Sequence, residues 1–421
     1  MEKLRLINYT ISLVLFFCYL YQFVYIPISW FSRKRARKAE MSKNKYAVLI
    51  CARNERSVIG NLIDSINRQT FPASQITVFV MADNCTDDTA SVAADHGALV
   101  YTRFNKSLVG KGYALQELRH HITSDFPEGF DAYFVFDADN ILSPNYFEEM
   151  DKEFNGSGND VITSYRNSTN YGSSWISSAY GLWFLRESRY LNHSRRAIGL
   201  SSMVSGTGFM FGRKTAEDIK DWPFHLLTED IEFSATRIIK GEKIGYCPTA
   251  VLYDEQPTTF AQSWKQRKRW SKGYIQVFRK YGLDLLKGVF RLNVSCIDMM
   301  MSIMPAAVLT VISILINGAV AIYTIISGSG LLAALTSVGE FWGGMYATVG
   351  IIGAITLISE WKNIKAPAIK KILHLFVFPL FMFTYVPISI SAFFSKCKWE
   401  PIKHYGKADY KELCDTKLRS A

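Results

Sequence analysis

The chain has 421 residues, seven cysteines and a formal net charge of +11. The cysteines are odd in number and never form CxxC, which argues against a zinc site or disulfide framework and suits inert thiols in a reduced cytosolic domain. No groove-reading or base-stacking motif accompanies the positive charge, so anionic lipid headgroups account for it more simply than nucleic acid does.

In chain order, residues 6–30 are the first of three stretches approaching the roughly 20 apolar residues that span a bilayer. The run is too long for a signal peptide, and no small-residue cleavage site precedes the basic cluster after it. Residues 1–31 are therefore expected to form a transmembrane helix and 32–45 a basic cytosolic linker containing Arg33-Lys34-Arg35-Ala36-Arg37-Lys38. Positive charge on that flank marks the cytoplasmic side. The expected topology is a multi-pass plasma-membrane protein with its N-terminus outside and its globular domain and C-terminus inside.

Residues 46–263 have ordinary globular composition and are enough to bury a core. Tyr46-Ala47-Val48-Leu49-Ile50-Cys51-Ala52 is an apolar run of strand formers, and a helical pattern follows with Ile59, Leu62, Ile63 and Ile66 on one face. Residues 76–81 form a second apolar run, 98–101 a third, and Tyr133-Phe134-Val135-Phe136 a fourth that ends on Asp137. This alternation predicts an α/β, Rossmann-like parallel sheet covered on both faces. Ligands of such sheets bind beyond the carboxyl ends of the strands, where Asn54, Glu55, Asp83, Asp137 and Asp139 fall.

From Trp264 the pattern is amphipathic and rich in Lys, Arg and aromatic residues, so 264–298 reads as interface helices. The stretches 299–326 and 341–359 make 299–361 a pair of transmembrane helices. Residues 362–395 include an apolar stretch interrupted by Pro379 and Pro387. Crossing there leaves the basic tail outside, which favours an interfacial or re-entrant helix over a further span. Residues 396–421 form a cytosolic segment and tail.

Four motifs carry chemistry. Asp137-Ala138-Asp139 places two carboxylates at a strand end, which suits Mg²⁺ or Mn²⁺ bound together with substrate phosphates. Asp83, and Lys111 in Gly110-Lys111-Gly112, are candidates for contacts to a nucleotide. Thr228-Glu229-Asp230 precedes a helical pattern, so it is either a capping sequence or a catalytic one with Asp230 as general base. In Gln266-Arg267-Lys268-Arg269-Trp270, a QxxRW pattern, Gln266 and Arg269 suit a diphosphate. Trp270 suits a sugar ring or an interfacial anchor. Gly206-Thr207-Gly208 is either a backbone wall beside the acceptor or a turn.

The ordered set of Asp83, Asp137-Ala138-Asp139, Thr228-Glu229-Asp230 and QxxRW resembles the processive family 2 glycosyltransferases, which include cellulose, hyaluronan, chitin and poly-N-acetylglucosamine synthases. The resemblance runs from about Tyr46 to His404. It implies a cytosolic GT-A domain with a mixed sheet, joined to an α-helical membrane channel, and an inverting transfer from a UDP-sugar with Mg²⁺ or Mn²⁺. By position, Asp83, Lys111 and Asp137 match nucleotide contacts, Asp139 the metal ligand, Asp230 the base and Trp270 the acceptor platform. Trp399 and His404 match a cytosolic gating segment. The TED sequence leans toward a glucan or poly-N-acetylglucosamine. The function expected first is polymerisation of UDP-glucose into a β-1,4 or mixed β-1,3/1,4-glucan that leaves through the membrane segments. The rivals are a poly-N-acetylglucosamine, chitin or hyaluronan-type synthase, a transferase moving one sugar onto a lipid carrier, and a non-enzymatic channel or scaffold component.

Overall fold

The computed structural model describes residues 2–32, 40–303, 305–327, 331–397, 399–406, 410 and 413. The basic cluster at 33–38 and most of the tail after 406 lie outside the described residues.

Helix α1 (Glu2–Phe31) comes first. Strand β1 (Tyr46–Ala52) alternates its side chains between two cores, as a strand covered on both faces must. Tyr46, Val48 and Ile50 enter one core, Ala47 and Leu49 the other. Helix α2 (Ile59–Asn67) lays Ile59, Leu62, Ile63 and Ile66 on the first core, the face that its periodicity predicts. Then come β2 (Ile76–Asp83), α3 (Thr89–Asp95), β3 (Leu99–Arg103), α4 (Lys111–Asp125) and β4 (Ala132–Asp137). The four expected strands are all present.

Next in the chain are β5 (Ile141–Leu142), α5 (Tyr146–Ser157), β6 (Val161–Ser168), α6 (Trp175–Arg186), α7 (His193–Ala197), β7 (Phe209–Gly212), α8 (Arg213–Ile219), α9 (Glu229–Ile239) and β8 (Ile244–Asp254). The sheet order is β3-β2-β1-β4-β7-β6-β8-β5. It is mixed rather than wholly parallel, because β7 runs antiparallel to both β4 and β6. Gly208 makes that insertion workable. Its N–H donates to Val135 O at 3.0 Å, its carbonyl accepts from Ser164 N at 3.0 Å, and its φ of +66° suits glycine. A side chain there would strike Leu252 and Ser164.

Helix α10 (Phe260–Phe290) is 31 residues long, and Thr259 caps it by accepting from Gln262 N. It carries QxxRW in its second and third turns, starting four residues earlier than the sequence pattern suggests. Helices α11 (Val294–Ile303), α12 (Pro305–Ile326), α13 (Leu331–Ser359), α14 (Ala368–Phe383) and α15 (Tyr385–Phe394) complete the chain. The expected span 299–326 falls on α11 and α12. Among the described residues, Trp342–Ser359 and Ala368–Phe394 are long and apolar enough to cross a membrane. The second contains the stretch expected to be interfacial. Its break falls at Thr384, while Pro379 sits inside α14.

Buried polar contacts lock these helices to the sheet domain. Asp298 of α11 accepts from Arg195 Nε of α7 at 2.6 Å and from Tyr25 OH of α1 at 3.0 Å. Ser178 of α6 meets His374 Nδ1 of α14 at 2.6 Å.

Candidate active site

The parallel strands end in register, with Cys51 opposite both Met81 and Asp137. One sheet edge therefore gathers Glu55, Asp83 and Asp137, and all three line a single cavity of about 1470 Å³. Asp83 is buried and accepts from Arg103 Nη1 at 2.6 Å. Asn54 does not line the cavity. At φ 58° its Oδ1 accepts from Thr86 N at 2.8 Å, so it ties the β1 loop to the β2 loop instead of facing a ligand.

Asp137 accepts from Lys111 Nζ, which also donates to Gly206 O at 2.7 Å. Thr207 is a second departure from expectation. It is buried below the turn, accepts from Asp137 N at 2.9 Å and donates to Asn140 Oδ1, so it fixes the DxD turn and touches no acceptor space. Asp139 accepts from Glu255 N at 3.0 Å and lies 3.7 Å from His404 Nε2. Burial raises Asp139 to about 7 against the pull of His404. Burial alone would lower His404, but Asp139 and Glu55, whose Oε2 is 2.9 Å from His404 Nδ1, raise it to about 10.

Opposite this edge, Thr228, Glu229 and Asp230 begin α9 and line the same cavity. Thr228 makes no capping hydrogen bond, and its buried Oγ1 has no partner. It packs on Gly273 of α10, where any side chain would collide with it. Burial, reinforced by Asp230, raises Glu229 to about 7; burial raises Asp230 as well. Gln266, Arg269 and Trp270 of α10 border this wall. Gln266 Oε1 is buried without a partner. The Trp270 ring meets Tyr180 edge-on at 5.8 Å and Phe184 at 6.2 Å, so one edge is braced. Arg267 points the other way, donating to Phe381 O and Thr384 Oγ1 at the α14–α15 junction.

The segment 399–406 closes one side. Trp399 lies under the Arg53 guanidinium at 5.4 Å, Glu400 pairs with Lys265 at 3.1 Å, and the Tyr405 and Gly406 N–H groups donate to Glu255. Both residues expected to gate the site, Trp399 and His404, line the cavity. On the far side the cavity continues past Trp270 between α12, α13 and α15, where Ile312, Leu315, Met345 and Ile390 face it.

Sequence reasoning missed the β8 end. Asp254 accepts from Arg166 Nε at 2.7 Å, and Gln256 follows it; both line the cavity. The signal was available: a long apolar run, 244–253, ends on a carboxylate, as β4 does.

Residues 43–273 match the family model described as glycosyltransferase like family 2, and the chain belongs to that family. It is a glycosyltransferase with a GT-A-like mixed sheet. It is 25% identical over 274 residues to a probable glycosyltransferase of Sulfolobus acidocaldarius, covering 62% of this chain and 56% of that one. It is 23% identical over 246 residues to a β-monoglucosyldiacylglycerol synthase of Nostoc, covering 57% of this chain and 51% of the relative. It is also 25% identical over 231 residues to a poly-β-1,6-N-acetyl-D-glucosamine synthase of Staphylococcus epidermidis, covering 54% of each chain. The chain thus spans little more than half the length of the curated relatives it matches. Among solved structures, a mannosyltransferase from Pyrobaculum calidifontis in complex with GDP-Man and Mn²⁺ shares the fold. The TM-score is 0.60 at 16% identity, covering 86% of this chain and 98% of that one.

Proposed function

We propose that this chain is a membrane-bound, inverting glycosyltransferase. It takes a sugar from a UDP donor at the sheet edge and gives it to an acceptor hydroxyl presented beside Asp230. The cavity carries this reading, because one continuous space joins Asp83, Asp137 and Asp139 to Asp230, Trp270 and the membrane-side helices. Its two ends suit different ligands: charged groups at the strand ends and apolar side chains between α12, α13 and α15.

The donor's nucleotide lies against Asp83 and Glu55, with its diphosphate near Lys111, Arg269 and the protonated His404. Asp139 fits a divalent cation, since its buried carboxylate offers hard oxygen donors at the cavity wall. Asp137 has one oxygen taken by Lys111 and the other turned toward Gly206. Among the described residues no third protein ligand joins them, which suits Mg²⁺ or Mn²⁺ completed by phosphate and water. Such an ion, held by Asp139 and Asp137, would neutralise charge on the departing diphosphate. Asp230 takes the acceptor proton as the acceptor oxygen attacks the anomeric carbon from the face opposite the diphosphate; the sugar–diphosphate bond breaks in line and the configuration inverts. Trp270 holds the acceptor ring.

Polymerisation is the first reading, supported by the cavity's continuation past Trp270 between α12, α13 and α15, the direction a growing product would take. UDP-glucose and UDP-N-acetylglucosamine are the donors to try first, given the relatives' names. Transfer of one sugar to a lipid is the second reading, favoured by the aliphatic lining beyond Trp270. Membranes holding the protein, supplied with labelled donor and Mn²⁺, separate the two. A polymer retained on a gel supports synthesis, and a single labelled sugar extracted with lipid supports the second reading. Label in neither fraction with any donor defeats both.

A further inference from the structure

Two buried polar groups at the end of β8 remain unused by that chemistry. Asp254 is 2% exposed and Gln256 3% exposed, and both belong to the cavity wall. Asp254 Oδ2 is held by Arg166, while Oδ1 has no partner among the described residues. The Gln256 main chain is clamped on both sides by Asn170, which accepts from Gln256 N at 3.0 Å and donates to Gln256 O at 2.8 Å. Its side-chain Nε2 has no partner among the described residues. Buried polar groups are ordinarily satisfied, and an orphan beside a cavity marks a place where a ligand completes the set. Arg166 is itself fixed, donating to Ser205 O at 2.8 Å and lying 3.6 Å over the Phe184 ring.

The place of this pair in the site narrows what it reads. Glu255, between the two, donates its N–H to Asp139, so the pair flanks the carboxylate expected to hold the metal and diphosphate. The nucleotide contacts lie on the other side, at the ends of β1 and β2. A group bound beside Asp254 and Gln256 is therefore the part of the donor that follows the diphosphate. Resting on the transferase reading, we propose that Asp254 and Gln256, positioned by Arg166 and Asn170, form the subsite that reads the hydroxyls of the transferred sugar. The carboxylate accepts from one hydroxyl and the amide exchanges hydrogen bonds with its neighbour. The subsite takes a neutral sugar. Asp139, Asp254 and Glu255 crowd the wall with acid, and the guanidinium beside them, Arg166, is committed to Asp254, so a uronic acid meets repulsion there.

The full-length protein in detergent tests this with UDP-glucose, UDP-galactose, UDP-N-acetylglucosamine, GDP-mannose and UDP-glucuronate, read as nucleotide release. Wild type is expected to use at least one neutral donor and to leave UDP-glucuronate untouched. Gln256→Leu is expected to raise KM for the preferred donor about tenfold or to shift the ratio between two neutral donors by as much, with UDP affinity within twofold of wild type. Asp254→Asn, which keeps the shape, is expected to move the same ratio. Unchanged ratios in both variants, a loss of UDP affinity matching the loss of donor affinity, or efficient use of UDP-glucuronate overturns the subsite while leaving the transferase reading in place. Release from no donor by wild type overturns both.

Discussion

Asp137 and Asp230 converge on one glycine: a side-chain carbon on Gly206 would lie 3.9 Å from Asp137 Oδ2 and 3.8 Å from Asp230 Oδ2. The proposed donor-side carboxylate and the proposed base thus both face the space beside one backbone unit held at φ +80°. Gly206→Ala meets no steric collision, so its cost is the left-handed backbone, about 1–2 kcal/mol. A loss of stability of that size, seen as a lower thermal midpoint, is expected along with slower transfer. Wild-type stability would show that the loop relaxes and that its geometry is not fixed.

Asp230→Asn keeps the size and burial of the side chain and removes its ability to take a proton. Transfer is expected to fall by about 10²–10⁴-fold, the usual contribution of a positioned base. UDP binding, measured by calorimetry, should remain. Turnover near the wild-type rate assigns the base elsewhere, and Glu229 is then the nearest alternative.

His404→Ala tests the closing segment. The substitution removes the cation beside Asp139 and leaves Glu55 buried without its partner, a carboxyl already raised by desolvation. About a tenfold rise in donor KM with a smaller change in kcat is expected, as for a group that binds more than it reacts. An unchanged KM removes His404 from the donor site.

The first half of the sheet was legible because β1, β2 and β4 are apolar runs that stop on polar residues, a pattern with one natural reading. Strands β6 and β7 were not. The sequence of β6, Val161–Ser168, is mostly polar because Arg166 holds Asp254 at the site and Asn167 donates to Asn363 O in the turn after α13 rather than filling the core. Strand β7 has four residues, too few for a period. The carboxylates of the site were readable from strand ends, but the roles of Asn54 and Thr207 were not. Both sit beside site residues in sequence, and only the fold shows that their side chains tie loops together. Apolar composition marked the helices from α11 to α15. It said nothing of the break at Thr384.

Glu229 gives the pH dependence a sign. Its folded value of about 7 stands above its ordinary 4.5, chiefly through burial. A carboxyl raised on folding contributes stability that is complete below about pH 4.5 and is lost as pH rises through about 7. The thermal midpoint of the metal-free protein should therefore fall between about pH 5 and pH 8. Glu229→Gln should show a shallower fall, since its amide carries no charge to desolvate. Parallel curves for the two proteins would assign the pH dependence to other groups.

Arg267, inside the QxxRW segment, faces away from the cavity. It is fully buried, donates to Phe381 O at 3.0 Å and Thr384 Oγ1 at 2.7 Å, and its guanidinium lies 4.0 Å over Phe381 and 4.9 Å over Tyr385. Those partners are the end of α14 and the start of α15, so one side chain of α10 fixes the joint between the two helices. The planar fork does two jobs there, donating to two acceptors and stacking on rings, and a lysine ammonium does neither as well. Arg267→Lys is expected to lower stability by about 2 kcal/mol, the scale of a charge-assisted hydrogen bond lost in a buried site. If α15 also shapes the acceptor path, as its Ile390 and Phe393 on the cavity wall suggest, kcat falls while UDP affinity holds. Wild-type stability and turnover in Arg267→Lys would mean that packing alone sets the joint. Reduced stability with unchanged turnover would confine Arg267 to the scaffold.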